Sequence, residues 1–394
     1  MWSVNLVPIA FGLLVCVVDL GVWVWLTYRL AHGLSASPHL DDSSVGLCRV
    51  DAVVAMRNEA DNVFGCVQSL LAQECVGRVI MVDDHSDDDT LSIAHQLAKS
   101  TSRLSVISLQ DKEAWGKAEA CWVGATHSDA EWLLFVDADT RLTPTVVGRA
   151  LALAERRGVD ALSILGGLRC SSVTSESFSS LNVGLLNAFV NAGDVNNPAK
   201  RSAYFAGSFI LARRSKYLEL GGHGAVRGEI VEDKALADLY KRKGLGILLC
   251  YAPHDVSTAW GGGRGDGVVA SMVREITPSM ASAGVLNSAL FSVGMSMLHL
   301  APYIGLALGF ITTKPLDILF FSCSVGSILM ALLFQTLSLR LTAGRMTSLP
   351  AYFIAFPLQV AAFWVGVYKV WRKKPVRWRG RIYRPVERLP KTVS

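Results

Sequence analysis

The stretch Trp132-Leu133-Leu134-Phe135-Val136-Asp137-Ala138-Asp139 decides how the rest of the chain is read. An apolar run of this kind suits a strand buried on both faces, and it ends in two carboxylates ahead of the turn formers Thr143 and Pro144. Acids that close a buried strand are costly to leave without a positive partner. A divalent ion carrying a diphosphate meets that need, because Mg²⁺ or Mn²⁺ takes one or two protein carboxylates and fills its shell with phosphate oxygens. Alone, the motif also describes a solvated turn, so its weight depends on what surrounds it.

Upstream the pattern repeats. Val50 to Met56 predicts a strand, and Glu59 to Glu74 carries Val63, Val67, Leu70 and Leu71 at helical spacing. Val79 to Val82 predicts a second strand, ended by Asp83-Asp84 and followed by a helix from Asp89 to Ser100. Leu104 to Leu109 predicts a third, before a helix over Lys117 to Thr126. Short apolar strands separated by helices imply an α/β domain with a mostly parallel, Rossmann-like sheet, and ligands of such sheets collect outside the carboxyl ends of the strands. The charged residues fall there. Arg57-Asn58-Glu59 follows the first strand, Asp83-Asp84-His85-Ser86 the second, Trp115-Gly116-Lys117 the third and Asp137-Ala138-Asp139 the fourth. Any one cluster suits a polar loop or a helix cap, with Ser86 and Asp89 as N-cap candidates. Four in succession on one edge, mixing acids with Arg57 and Lys117, point to a nucleotide-sugar site.

The rest of the composition speaks of a membrane. Apolar residues make up 51% of the 394, and the mean hydropathy of +0.36 exceeds that of an ordinary soluble enzyme. The excess is concentrated in Val4 to Leu26, uncharged apart from Asp19, and in Ala283 to Ile311, Leu316 to Leu339 and Leu349 to Trp371. Each can cross a hydrocarbon core of roughly 30 Å at about 1.5 Å per residue. The expected organisation is an anchor over 1–30, a water-soluble domain over 31–280, three apolar segments within 281–371 and a basic tail over 372–394. The first apolar stretch lacks a basic n-region and a nearby small-residue cleavage site, which favours an uncleaved anchor over a signal peptide. The eight cysteines are scattered without a Cys-x-x-Cys pair, as expected of reduced thiols in a cytoplasmic domain. From Arg372 onward nine Lys or Arg face the single Glu387, and without them the net charge of +5 becomes slightly acidic. That charge suits anionic lipid headgroups and gives no reason to invoke nucleic acid.

VVAMRNEADNV (53–63), IMVDDHSDDDT (80–90), WGKAEACWVGA (115–125), LLFVDADT (133–140) and YFAGSFILARRSKYLELGGHGAVRGEIVED (204–233) together resemble glycosyltransferase family 2, of the GT-A fold, over roughly Arg49 to Trp260. The chain is most similar to the membrane-bound, lipid-directed branch that includes hopanoid-associated and carotenoid glycosyltransferases, a likeness that VRWRGRIYRP (376–385) strengthens. The resemblance implies inverting transfer from a nucleotide-diphosphate sugar, such as a UDP-hexose, to a membrane lipid of isoprenoid, hopanoid or carotenoid type, at the plasma membrane. It implies that Asp83 and Asp84 contact the nucleoside, that Asp137 and Asp139 hold the diphosphate through Mn²⁺ or Mg²⁺, and that Asp233 is the catalytic base. Arg57, Asn58, Glu59 and Lys117 join the donor site, and Glu232, Gly207 and Arg274 are candidates for acceptor or diphosphate contacts.

The chemistry agrees. Inverting transfer needs a carboxylate to take the proton of the attacking hydroxyl, while cations steady the departing diphosphate. Glu232-Asp233 opens a predicted helix that runs to Arg242, and a helix amino terminus helps to keep an acid ionised. Polymer-making relatives carry a Gln-x-x-Arg-Trp signature after the base, absent from Val268 to Glu275, so transfer of a single sugar is expected. Gly261 to Gly267 has no Walker lysine and reads as a loop beside the acceptor, and His223 and His254 read as structural histidines. A cytoplasmic domain followed by three full crossings would leave the basic tail outside, against the positive-inside rule. One of the three is therefore not expected to be a simple span, and Ala283 to Ile311, interrupted by Pro302, is the candidate to be re-entrant or to lie along the interface. Two other functions fit the same motifs: a membrane-anchored nucleotide-sugar-binding protein without turnover, and a nucleotidyltransferase.

Overall fold

A computed structural model describes residues 6–40, 49–110, 116–227, 229, 231–260, 268–374, 376–378 and 381–383. After the long helix α1 (Leu6–Ala36) come β1 (Val50–Met56), α2 (Val63–Leu71), β2 (Val76–Asp83), α3 (Thr90–Ala98), β3 (Leu104–Ser108), α4 (Lys117–Thr126), β4 (Trp132–Asp137) and β5 (Thr140–Leu142). Next are α5 (Val146–Arg157), β6 (Ala161–Leu165), β7 (Gly167–Arg169), α6 (Val173–Phe189), α7 (Ala192–Val195), β8 (Ile210–Arg213), α8 (Arg214–Glu219), α9 (Glu232–Arg242), β9 (Ile247–Tyr251) and β10 (Val256–Ala259). The chain closes with α10 (Val268–Ala283), α11 (Val285–Ile311), α12 (Leu316–Leu341), α13 (Tyr352–Trp371) and the hairpin β11 (Val376–Trp378) and β12 (Arg381–Tyr383).

The main sheet has the order β3-β2-β1-β4-β8-β6-β9 and is parallel except at β8. Its central strands bury both faces, which is why they read as continuous apolar runs. The order turns back between β1 and β4, and such a reversal opens a crevice at the carboxyl edge. At the opposite edge, the fully buried Asp51 carboxylate is met by Arg78 at 2.8 Å and by the Ser128 hydroxyl at 2.8 Å, so the acid early in β1 is a paired anchor. A second sheet, β5-β10-β7, stands beside the end of β4 and is built from strands of three or four residues.

Helices Pro8–Ala36, Val285–Ile311, Leu316–Leu341 and Met346–Trp371 are long and apolar enough to cross a membrane. Pro302 stands inside α11, which is continuous from Val285 to Ile311. The Ser-rich helix α6 lies within the span read from sequence as water-soluble, yet it packs on α1, α12 and α13. Ser177, Ser179 and Ser180 are fully buried there, and the Gln335 side chain of α12 donates to the Ser177 carbonyl at 2.9 Å. Small polar residues let helices approach closely, and a Cβ added at Gly184 would fall 1.9 Å from Ser338 Oγ.

Candidate active site

The loops after β1 and β2 form one hydrogen-bonded rim. Arg57 donates to the Asp84 carbonyl at 2.6 Å, and the Asn58 N–H donates to Ser86 Oγ at 3.0 Å. The Asn58 side chain in turn accepts from the Asp87 N–H at 2.8 Å, and the Glu59 N–H donates to Thr90 Oγ1 at 2.7 Å. Asn58 and His85 both sit in the left-handed region, at φ 54° and 56°, a conformation that costs energy outside glycine and is kept where the surroundings enforce it. Asp83 and Asp84 are buried, and Asp83 Oδ1 has no hydrogen-bond partner among the described residues. A buried orphan acceptor is expensive and is met by an incoming donor group. Of the two cap candidates, Ser86 serves the β1 loop and Asp89 makes no side-chain cap; Asp88 accepts the Thr90 N–H at 3.0 Å instead.

The second half of the site forms around Lys117, the first residue of α4. Its Nζ lies 2.7 Å from Asp137 Oδ1 and 3.2 Å from Glu232 Oε1, tying the end of β4 to the start of α9. Burial works against the ammonium charge, but the carboxylates of Asp137, Glu232 and Asp233 outweigh it and hold the Lys117 pKa well above the ordinary lysine value. Burial, reinforced by Glu232, pushes Asp233 up to about 7, while Lys117 and the Lys234 N–H pull it down. That N–H donates to Asp233 Oδ1 at 2.7 Å. Gly207 explains itself here. A Cβ at that position would stand 2.9 Å from Asp233 Oδ2 and 2.9 Å from Lys117 Nζ, so any larger residue would have to displace the tips of those two charged side chains.

Asp139 is held from the second sheet. Thr258 Oγ1 donates to its Oδ1 at 2.7 Å, and Arg169 bridges the Asp139 carbonyl at 2.5 Å and the Ser257 hydroxyl at 2.8 Å. Thr258 and Arg169 are neighbours of Asp139 that motif reading missed; their only sequence signal is a polar residue in a short strand. His223 is a buried structural residue, as expected: its ring bonds the Tyr217 hydroxyl at 2.8 Å and burial holds it down at about 3, in the neutral form. Trp115, the glycine-rich segment 261–267 and the side chain of Arg274 lie outside the described residues. The structure thus gathers Lys117, Asp137, Gly207, Glu232 and Asp233 in one cluster, with Asp139 two residues from Asp137, and gathers Arg57, Asn58, Glu59, Asp83 and Asp84 on the adjoining rim.

A mostly parallel sheet with acidic loops at its switch point, beside a small sheet gripping an Asp-x-Asp turn, is the arrangement of the GT-A fold. Residues 51–221 match the family model described as glycosyl transferase family 2. The chain is 24% identical over 198 residues to the 4,4'-diaponeurosporenoate glycosyltransferase of Staphylococcus aureus strain USA300, with 50% of this chain and 52% of the relative covered. The enzyme from strain NCTC 8325 / PS 47 gives the same figures. The chain therefore spans about half the length of these curated relatives. Among solved structures it is similar to the mannosyltransferase PcManGT from Pyrobaculum calidifontis in complex with GDP-Man and Mn²⁺, at 16% identity and a TM-score of 0.51, over 93% of this chain and 99% of that one. That likeness is one of fold.

Proposed function

We propose that this protein transfers a single sugar, with inversion, from a nucleotide-diphosphate sugar to a lipid in the membrane that holds it. The observation that carries the reading is Lys117, which joins the diphosphate-side carboxylate Asp137 to the helix start that bears Asp233. A leaving diphosphate and a base on opposite sides of one sugar carbon need this spacing of opposite chemistries. The donor nucleoside packs against Asp83, whose orphan oxygen accepts from it, and UDP-hexose is the donor class we favour. Asp137 and Asp139 are hard oxygen donors, and among the described residues no group of three or more acids, histidines or cysteines gathers as a closed metal cage. An open pair suits Mn²⁺ or Mg²⁺ that shares its shell with the diphosphate, where it would neutralise the charge of the leaving group.

This chain's own residues do the rest. The acceptor hydroxyl attacks the anomeric carbon as its bond to the diphosphate oxygen breaks; the hydroxyl proton passes to Asp233, and nucleoside diphosphate departs. Lys117 stands beside Asp137, ready to take the phosphate charge that develops there. The named activity of the Staphylococcus aureus relative supports a carotenoid-like acceptor, and the apolar helices at both ends of the domain keep a lipid within reach. On this reading the catalytic domain faces the cytoplasm, where the donor is made, and the basic tail meets anionic headgroups. Membranes containing the full chain, incubated with radiolabelled UDP-glucose and Mn²⁺, should yield label in the lipid extract and UDP in the aqueous phase. Label bound without turnover would favour a binding protein, and pyrophosphate release a nucleotidyltransferase.

A further inference from the structure

We propose that the chain crosses the bilayer three times, through α1, α11 and α12, and that residues 342–371 enter from the catalytic side and return to it. The depth of each helix follows from its neighbours. One end of α1 adjoins the catalytic domain, where a Cβ added at Gly33 would meet Asn191 at 2.6 Å and Ser37 Oγ accepts the Tyr251 N–H at 2.7 Å. Toward the other end, Gly12 faces Leu308 of α11 and Phe320 of α12. From Gly12 to Gly33 is roughly 31 Å at helical rise, one hydrocarbon thickness. About one turn further in, Cys16 faces Gly305 of α11, which also faces Ser324 of α12. Helix α12 then returns to the domain, where the Thr342 carbonyl accepts the Leu168 N–H at 3.0 Å.

Helix α13 takes a different course. Its first residues begin halfway down, where Tyr352 and Phe353 line a small crevice with Trp23, His299 and Ile328, and Phe356 packs on Trp23 at 5.7 Å and on His299 at 5.0 Å. From there it climbs. Gln359 donates to Asn182 of α6 at 3.2 Å, Phe363 meets Phe291 at 5.1 Å, and Gly366 faces Met280 of α10, the helix that leads out of the catalytic domain. Strand β11 packs on α10 as well. The segment before α13 is held on the same side, because Arg345 and Ser348 both reach the Glu176 carboxylate in the first turn of α6. Backbone that turns at membrane depth is tolerated where protein buries it, and Tyr352 and Phe356 are 5% and 1% exposed.

Charge agrees independently. Arg29, Arg340, Arg345, Lys369, Arg372, Lys373 and Lys374 all sit toward the catalytic end, whereas the connection between α11 and α12 carries Lys314 alone. By the positive-inside rule the catalytic end is cytoplasmic, and the basic tail stays there with it. The re-entrant element is then the last apolar segment, not the segment interrupted by Pro302. None of this depends on the reaction catalysed.

Single cysteines introduced into the full chain at Thr313, Lys99 and Lys374, all exposed, test it with a membrane-impermeant maleimide on intact and permeabilised spheroplasts, read against the parent protein. Thr313→Cys should be labelled in intact spheroplasts, Lys99→Cys and Lys374→Cys only after permeabilisation. Labelling of Lys374→Cys together with Thr313→Cys while Lys99→Cys stays protected would mean that α13 crosses. Protection of Thr313→Cys together with Lys99→Cys would mean that α11 and α12 do not. A carboxyl-terminal green fluorescent protein fusion, which should fluoresce, covers the case of a poorly expressed variant; a dark, full-length fusion in the membrane overturns the proposal.

Discussion

Thr258 Oγ1 donates to Asp139 Oδ1 at 2.7 Å, joining residues 119 apart in sequence. A hydrogen bond to a metal-binding carboxylate fixes its orientation, and losing such a partner typically costs about 10- to 100-fold in metal affinity. Thr258→Val should weaken Mn²⁺ binding by about tenfold on this scale, and Thr258→Ser should restore it. Asp139→Asn, which removes the charge itself, should abolish metal-dependent binding of UDP-sugar. Calorimetric titration measures all three; unchanged affinity in the asparagine variant would remove Asp139 from the metal site.

Gly207 is the tightest point of the site, since an added methyl carbon would meet Asp233 and Lys117 at 2.9 Å each. On the proposed mechanism, Gly207→Ala should therefore push Asp233 away from Lys117 and lower kcat by at least roughly tenfold, because misplacements near 1 Å cost up to about a hundredfold. Its melting temperature should change little, as the displaced atoms are side-chain tips. Full turnover with a normal donor KM would show that the backbone has room there.

Asp233 stands at about 7 in the free protein, raised by burial and by Glu232. A base must be ionised, so kcat/KM should rise with pH through an inflection near 7 and level off above it. Lys117 lowers this pKa, and Lys117→Met should move the inflection upward as well as reduce the rate. Asp233→Asn should leave donor binding intact and lower turnover by at least about a hundredfold, the scale of a lost general base. A flat profile across the neutral range would place the base elsewhere.

The strands β1 to β4 and helices α2 to α4 were legible because burial on both faces writes long apolar runs and helical spacing into the sequence. The acids at their ends were legible for the same reason, since each follows a recognisable strand. Strands β5, β7 and β10 were not: three or four residues carry no period, and so Arg169 and Thr258 stayed hidden although they grip Asp139. Helix α6 was hidden in another way, because its buried serines are small residues packed against the long apolar helices α1, α12 and α13 inside a span read as water-soluble. The course of α13 depends on which depth Tyr352 and Phe356 reach, and hydropathy does not encode depth.

The proposed lipid acceptor rests on architecture. A domain flanked at both ends by helices long and apolar enough to cross a membrane would be held at its surface, so on this proposal a hydroxyl displayed by a lipid is concentrated there while a soluble alcohol gains nothing from the anchors. If the tail that follows α13 lies on an anionic surface, as proposed, Arg377, Arg379 and Arg381 would each add about 1 kcal/mol of attraction, a contribution that salt and neutral lipid remove. Replacing the three with glutamine should therefore depress transfer in vesicles rich in phosphatidylglycerol by more than tenfold and leave transfer in neutral detergent nearly unchanged. Equal rates for parent and variant in both settings would strip the tail of this role, and glycosylation of a water-soluble alcohol as fast as of any lipid extract would sink the lipid acceptor with it.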